Sequence, residues 1–442
     1  MSLPEYQYRS GSAATSQLDI HQPALPGYSR TTATVWDVPP AEQEHNFHLT
    51  DKKTGAQWLT MTVMSRASSA SEQPTFYQGA NIAGSLKLDL DKEVLVDEVT
   101  LALYGRLSIF SHSISNFFYT SKTLYSAAEQ SPGSDSPVTS LLKRGKLKGH
   151  YDWPYSVRLP KGVSILSAIL DSRAERTNYR LPPSFSDEQS NVHVQYMLVV
   201  RVNRGGFKSG SKLTVPLTYI PLARPSPPTI LRQLAYQEDH PLVGPDGDPD
   251  GWKALELVKI EGFLFKTVRV QATCDIRISK PLSYTRGGLV HLLCSIRSDN
   301  KQFLDLAVPQ SINLALVQRI TFGEAIQKAR FSERLEVQTT IKTLERATAS
   351  WWRVPAVDEP GVKAFAGELR VPADLVPACQ ILYYGHEYEL VFQGLGAVGF
   401  TPITASKKPL LVEPITIVTA FAQAPRARSY IPPEYATKAD GH

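Results

Sequence analysis

Apolar and polar residues alternate with period two along most of this chain. Leu59-Thr60-Met61-Thr62-Val63 alternates strictly, and Ala83 to Leu90 sets Leu86, Leu88 and Leu90 against Lys87 and Asp89. Val94 to Val99 and Leu101 to Leu107 repeat the theme. A break at 121–149, rich in Ser, Gly and Pro, precedes Tyr155–Leu159, Val192–Val202 and Leu213–Ile220. Successive side chains of an extended chain point to opposite faces, so this alternation predicts half-buried antiparallel strands. About eight short strands separated by turn signals predict a β-sandwich over 43–222.

A second strand series runs from Leu257 through Val268–Val270, Gly288–Ile296, Ile312–Ile320, Leu335–Lys342, Gly367–Val371 and Tyr388–Phe392 to Ile415–Ala420. It predicts a second sandwich over 252–422. Between the two, 223–251 holds Arg224-Pro225-Ser226-Pro227-Pro228 and Gly244-Pro245-Asp246-Gly247-Asp248-Pro249-Asp250-Gly251. Prolines at that density do not occupy central strands, so 223–251 is the expected interdomain linker. Helix signals are scarce, and only 322–334 has room for a turn or two. Residues 1–42 are rich in Ser, Thr, Pro and Gln without periodicity, which predicts a disordered N-terminal tail; 423–442 forms the C-terminal tail. The expected class is all-β: two tandem immunoglobulin-like antiparallel β-sandwiches with disordered tails.

The tails carry the sharpest motif. Pro432-Pro433-Glu434-Tyr435 is a PPxY sequence, the ligand read by WW domains. Proline fixes φ near −65° and restricts the residue before it, which favours the extended polyproline II form that docks in aromatic-lined grooves. Tyrosine supplies a second, bulky anchor. Leu3-Pro4-Glu5-Tyr6 and Leu25-Pro26-Gly27-Tyr28 echo the motif with leucine for its first proline. The candidate WW-binding residues are therefore Pro432, Pro433 and Tyr435, with Leu3, Pro4, Tyr6, Leu25, Pro26 and Tyr28 as poorer copies. The stretch from Ala422 to Pro432, roughly 10 residues, is slack enough to hold the motif clear of the body.

Charge adds little. A net charge of +5 permits weak attraction to an anionic membrane surface and does not call for nucleic acid. Lys143, Arg144, Lys146 and Lys148 cluster in one segment, which reads as a solvated loop or as a contact for acidic lipid or phosphate. Three cysteines, an odd number without metal-ligand spacing, predict no disulfide framework; Cys274 and Cys294 read as buried reduced thiols. The opening Met-Ser-Leu-Pro-Glu-Tyr is not a signal peptide, and no apolar run approaches the ~18 residues of a membrane span. A cytosolic location follows as the expectation.

No catalytic residue, metal or cofactor is predicted. Gly394-Leu395-Gly396-Ala397-Val398-Gly399 matches a dinucleotide fingerprint, yet Pro402 follows at once and no helical period appears, so a glycine-rich hairpin is expected. Asp246, Asp248 and Asp250 imitate an EF-hand start, but the twelfth position is Leu257, leaving an acidic turn. His45 and His48 stand three apart without a third ligand. No Gly-x-Ser-x-Gly, His-Glu-x-x-His or Walker A sequence occurs.

The body resembles a known family. Phe76-Tyr77-Gln78-Gly79 through Ala83-Gly84-Ser85-Leu86, then Val99-Thr100-Leu101-Ala102-Leu103-Tyr104-Gly105, resembles the opening of an arrestin N-terminal domain. Trp153-Pro154-Tyr155-Ser156-Val157, Leu181-Pro182-Pro183-Ser184-Phe185, Val194-Gln195-Tyr196-Met197-Leu198 and Leu217-Thr218-Tyr219-Ile220-Pro221 are similar to its later half. Pro281 to Val290 resembles the arrestin C-terminal domain. The likeness covers roughly 45–420, apart from the loop at 121–149 and the linker, and is greatest to the fungal arrestin-related, or α-arrestin, group, although Gln78-Gly79-Ala80 stands where Pro-Gly-Glu is usual. The resemblance implies the arrestin fold, no enzymatic activity, and recruitment of HECT-type ubiquitin ligases through their WW domains. It implies further partners: cytosolic tails of plasma-membrane transporters or receptors, and ubiquitin as a covalent modifier. It also implies a cytoplasmic adaptor recruited peripherally to plasma membrane or endosomes. The alternative is an arrestin-fold scaffold for cargo sorting or signalling, pH-sensing or retromer-like, without ligase recruitment.

Overall fold

The structure, a computed structural model, describes residues 42–51, 54–109, 113–128, 145–166, 176–187, 191–204, 210–326, 336–354, 359–382, 384–403 and 408–435. These form an all-β molecule of two tandem sandwiches. In the first, one sheet is ordered Gln43–Thr50, Gln57–Ser65, Asn81–Leu95 and Lys146–Arg158. Its partner sheet is ordered Thr75–Tyr77, Ser211–Ile220, Val192–Asn203, Glu98–Ile109 and Ser113–Ser126. The expected alternation is seen directly: Leu59, Met61 and Val63 are fully buried, as are Leu86 and Leu88. Each such side chain stabilises the fold by about 1.5–3 kcal/mol relative to solvent exposure. Pro154 lies on Lys146–Arg158, an edge strand, where a missing N–H costs least.

The second sandwich repeats the plan. One sheet is ordered Ser350–Arg353, Val362–Arg370, Leu289–Arg297, Val268–Ser279, Val258–Leu264 and Phe400–Pro402; the other, Ser283–Thr285, Leu411–Val418, Tyr384–Leu395, Ile312–Ile326 and Glu336–Thr348. Each sandwich adds one short parallel strand to its last long strand: Thr75–Tyr77 beside Ser211–Ile220, and Ser283–Thr285 beside Leu411–Val418. Each short strand leads to a glycine at positive φ, Gly79 and Gly287, a conformation that favours glycine.

Several expectations need correction. The 121–149 break is narrower, because strands cover Ser121–Ser126 and Lys146–Gly149. Residues 322–326 are strand, not helix, and 327–335 lie outside the described residues. Gly394–Gly399 is not a hairpin: it carries the chain from Tyr384–Leu395 in one sheet to Phe400–Pro402 in the other. The linker holds a helix, α1 (Ile230–Glu238), capped by the Thr229 hydroxyl. A second short helix is α2 (Lys301–Leu306). Asp248 shapes the acidic turn by accepting hydrogen bonds from Thr229 Oγ1 (2.7 Å) and the Gly251 amide (3.2 Å).

The two halves share apolar contacts. Ile320, Phe322, Ile381 and Tyr384 of the second sandwich join the core of the first. Phe185 stacks on Tyr384 with ring centroids 5.2 Å apart. The chain exit is tied to the interdomain connection as well: the Ala420 amide donates to Ala223 O (2.9 Å) and Arg224 Nη1 to Phe421 O (2.8 Å).

Candidate functional site

The C-terminal segment does not leave the body after its last strand. Residues 421–435 run back across the second sandwich, contrary to the expected slack. Arg426 lies over the Phe421 ring at 4.4 Å, and Arg428 reaches Asp239 at 3.3 Å. Exposed pairs of the latter kind contribute little. The anchor is Glu368 on strand Val362–Arg370. Its carboxylate is only 2% exposed and accepts the Ser429 hydroxyl at 2.7 Å and the Tyr430 backbone amide. His291, its cross-strand partner, brings Nδ1 within 3.6 Å. Burying a carboxylate is costly without donors, and the C-terminal segment supplies two of them.

Tyr430 completes the seat. Its ring packs 5.6 Å from His291, and its hydroxyl donates to Ala235 O of α1 at 3.3 Å. Burial first, then Asp239, pushes the Tyr430 phenol up. The helix thus has a role in placing the segment. Its buried side chains are Arg232, Ala235 and Tyr236. Arg232 lies over Trp252 at 4.6 Å and donates to Lys280 O at 3.1 Å, and burial lowers its guanidinium from the usual value.

The PPxY motif follows within two residues. The Tyr435 amide donates to Pro432 O at 2.9 Å, so Pro432–Tyr435 is a turn and not an extended polyproline strand. Pro433 is exposed, whereas Pro432 and Tyr435 are half-buried. Glu434 and Tyr435 line a groove of about 700 Å³ together with Gln310, Asn313, Glu345, Ser350 and Trp351. Trp351 is 4% exposed, and its indole N–H finds no acceptor among the described residues. Pro432, Pro433 and Tyr435 are therefore brought together on the second sandwich.

The other candidates fare differently. Leu3, Pro4, Tyr6, Leu25, Pro26 and Tyr28 lie outside the described residues, as do Lys143 and Arg144. Lys146 and Lys148 are exposed on one strand, with Leu147 buried between them; Lys146 Nζ stands 3.8 Å from Glu93. His45 and His48 serve separate structural bonds, to Ser65 Oγ (2.8 Å) and Thr60 Oγ1 (3.0 Å). Among the described residues, no group of three or more His, Cys, Asp and Glu could hold a metal ion, and no helix is long and apolar enough to cross a membrane. Cys274 and Cys294 are buried free thiols with Sγ atoms 3.6 Å apart.

Glu368, Ser429, Tyr430 and Trp351 were not singled out from sequence. The available signal was Glu368 itself, a charge within Val362-Lys363-Ala364-Phe365-Ala366-Gly367-Glu368-Leu369. Its partners lie 61 and 62 positions away, beyond the reach of any local pattern. No protein-family model matches the chain, and no curated protein matches it.

Proposed function

We propose that this chain is a non-enzymatic, arrestin-like adaptor that recruits a HECT-type ubiquitin ligase, through its WW domains, to plasma-membrane transporters or receptors. Recruitment promotes their ubiquitination and endocytosis. The observation that carries the reading is Pro432-Pro433-Glu434-Tyr435, held at the surface of a double β-sandwich with Pro433 exposed. In this reading Pro432, Pro433 and Tyr435 contact the ligase, and the sandwiches hold cytosolic cargo tails. Lys143, Arg144, Lys146 and Lys148 add a weak contact to anionic lipid, and a lysine of the chain accepts ubiquitin. The protein works in the cytoplasm and is recruited peripherally to plasma membrane or endosomes. Calorimetry of ligase WW domains against a synthetic 424–442 peptide tests the reading. Micromolar binding that disappears with Tyr435→Ala supports it; absence of binding, or indifference to Tyr435, sinks it.

The seat of Tyr435 in the groove favours a second reading. There the segment is a structural strap, and the double sandwich is a scaffold for sorting or signalling without ligase recruitment. Indifference of the peptide to Tyr435 would select this alternative.

A further inference from the structure

We propose that Ser429 is a phosphorylation site whose modification detaches Ser429–Tyr435 from the second sandwich and so exposes Pro432-Pro433-Glu434-Tyr435. The inference rests on the ligase-adaptor reading for its consequence, though not for its mechanics. Three observations converge on Ser429. The residue is exposed at the surface, yet its hydroxyl donates to Glu368 Oε2 at 2.7 Å. Glu368 is buried, so a charge beside it is poorly screened. Arg426 and Arg428 stand three positions and one position before the serine, both exposed. That arrangement of positive charge is selected by kinases with an acidic peptide groove.

The chemistry is a phosphoryl transfer from ATP, supplied with the kinase. The bond from Ser429 Oγ to the γ-phosphorus forms as the bond from that phosphorus to the β,γ-bridging oxygen breaks. ADP leaves with the electron pair, and the hydroxyl proton passes to the kinase's base. Two consequences follow at Glu368. The donor is gone, because the ester oxygen carries no hydrogen. A group of nearly two negative charges then stands against a buried carboxylate, which disrupts by like-charge repulsion and by the cost of desolvation. Tyr430 is the next residue, so its amide bond to Glu368 and its packing on His291 go with the serine.

Release matters because the seated motif has the wrong shape for a WW groove. It is a turn closed by the Tyr435 amide, with Tyr435 lining the same groove as Trp351. A WW domain reads an extended strand with the tyrosine free. Binding thus requires the undocked form, and apparent affinity falls by the fraction undocked. The kinase also captures the undocked form, so phosphorylation traps a pre-existing state.

The test uses the full-length chain, unmodified and phosphorylated at Ser429 by an arginine-directed kinase, with site and stoichiometry confirmed by mass spectrometry. Amide hydrogen exchange across 428–435 reads docking directly, and calorimetry with a ligase WW domain reads access. The expected result is faster exchange at Tyr430 and Tyr435 on phosphorylation, and WW affinity raised about tenfold toward that of the 424–442 peptide. Tyr430→Ala reaches the same open state without phosphate. Exchange unchanged by phosphorylation overturns the proposal whatever the WW domain does. Equal WW affinity for peptide and unmodified chain also overturns it, leaving the adaptor reading intact. If the peptide itself fails to bind, the adaptor reading falls, and exchange alone decides the Ser429 latch.

Discussion

Gly367 lies directly under the indole of Trp351. A Cβ on Gly367 would stand 2.4 Å from Trp351 Cε3, closer than real contacts allow. The two residues face each other across the pair of strands Ser350–Arg353 and Val362–Arg370. The absent side chain leaves room for the ring, which lines the same groove as Tyr435. Gly367→Ala is therefore expected to push the indole aside, at a cost of about 1–3 kcal/mol for an overpacked site. A urea midpoint should show the loss, and exchange at Tyr435 should rise with it. Wild-type stability in the variant would mean that the ring moves freely.

The Glu368 seat makes a second prediction about stability. A chain ending at Ala427 leaves the carboxylate without the Ser429 hydroxyl and Tyr430 amide. Leaving a buried acceptor unpaired costs about 1–3 kcal/mol, whereas replacing it with an apolar group is nearly neutral. The truncated chain should melt lower than the full chain, and adding Glu368→Leu should recover part of the difference. A truncation with no effect on the melt would show that the segment rests on the surface without stabilising it.

The alternation that marks Leu59, Met61 and Val63 as a core face was legible because burial there depends on local period alone. The helix α1 was not. Its buried residues, Arg232, Ala235 and Tyr236, sit at helical spacing but include a charge and a small alanine, while Ile230, Leu231 and Leu234 are exposed. The usual apolar stripe is thus inverted, and Pro225, Pro227 and Pro228 just before it read as loop. Thr229 was the visible cap signal. The PPxY motif was legible as letters, whereas its turned, seated conformation depends on Glu368 and Trp351, which no window around 432–435 contains.

The stack of Phe185 on Tyr384 predicts how the halves unfold. It joins a half-buried residue of the first sandwich to a buried one of the second, beside Ile320 and Phe322. Phe185→Ala removes the ring contact and its area, an expected loss of about 1–3 kcal/mol. Because the contact is shared, calorimetry is expected to show one cooperative transition for the wild type and a broadened or split one for the variant. A transition that shifts without broadening would count against coupling through this stack.

The same seam should make the protein sensitive to acid. His386 is 2% exposed; its Nδ1 bonds the Tyr384 hydroxyl at 3.0 Å, its ring stacks on Tyr388 at 5.6 Å, and Gln318 lies against Nε2. Burial pushes its imidazole down from 6.5 to about 4; Asp187 opposes the shift and Arg346 adds to it. Between those values the unfolded chain takes up a proton that the folded chain does not. Stability from this group is therefore full above about pH 6.5 and falls as pH drops toward 4. The gap corresponds to roughly 3 kcal/mol. Urea midpoints at pH 7.5 and pH 5 should fall further in the wild type than in His386→Phe, where nothing titrates at this position. Other groups contribute to both curves, so the difference between the two falls is the measurement. Equal falls would show that His386 takes its proton in the folded chain as readily as in the unfolded one.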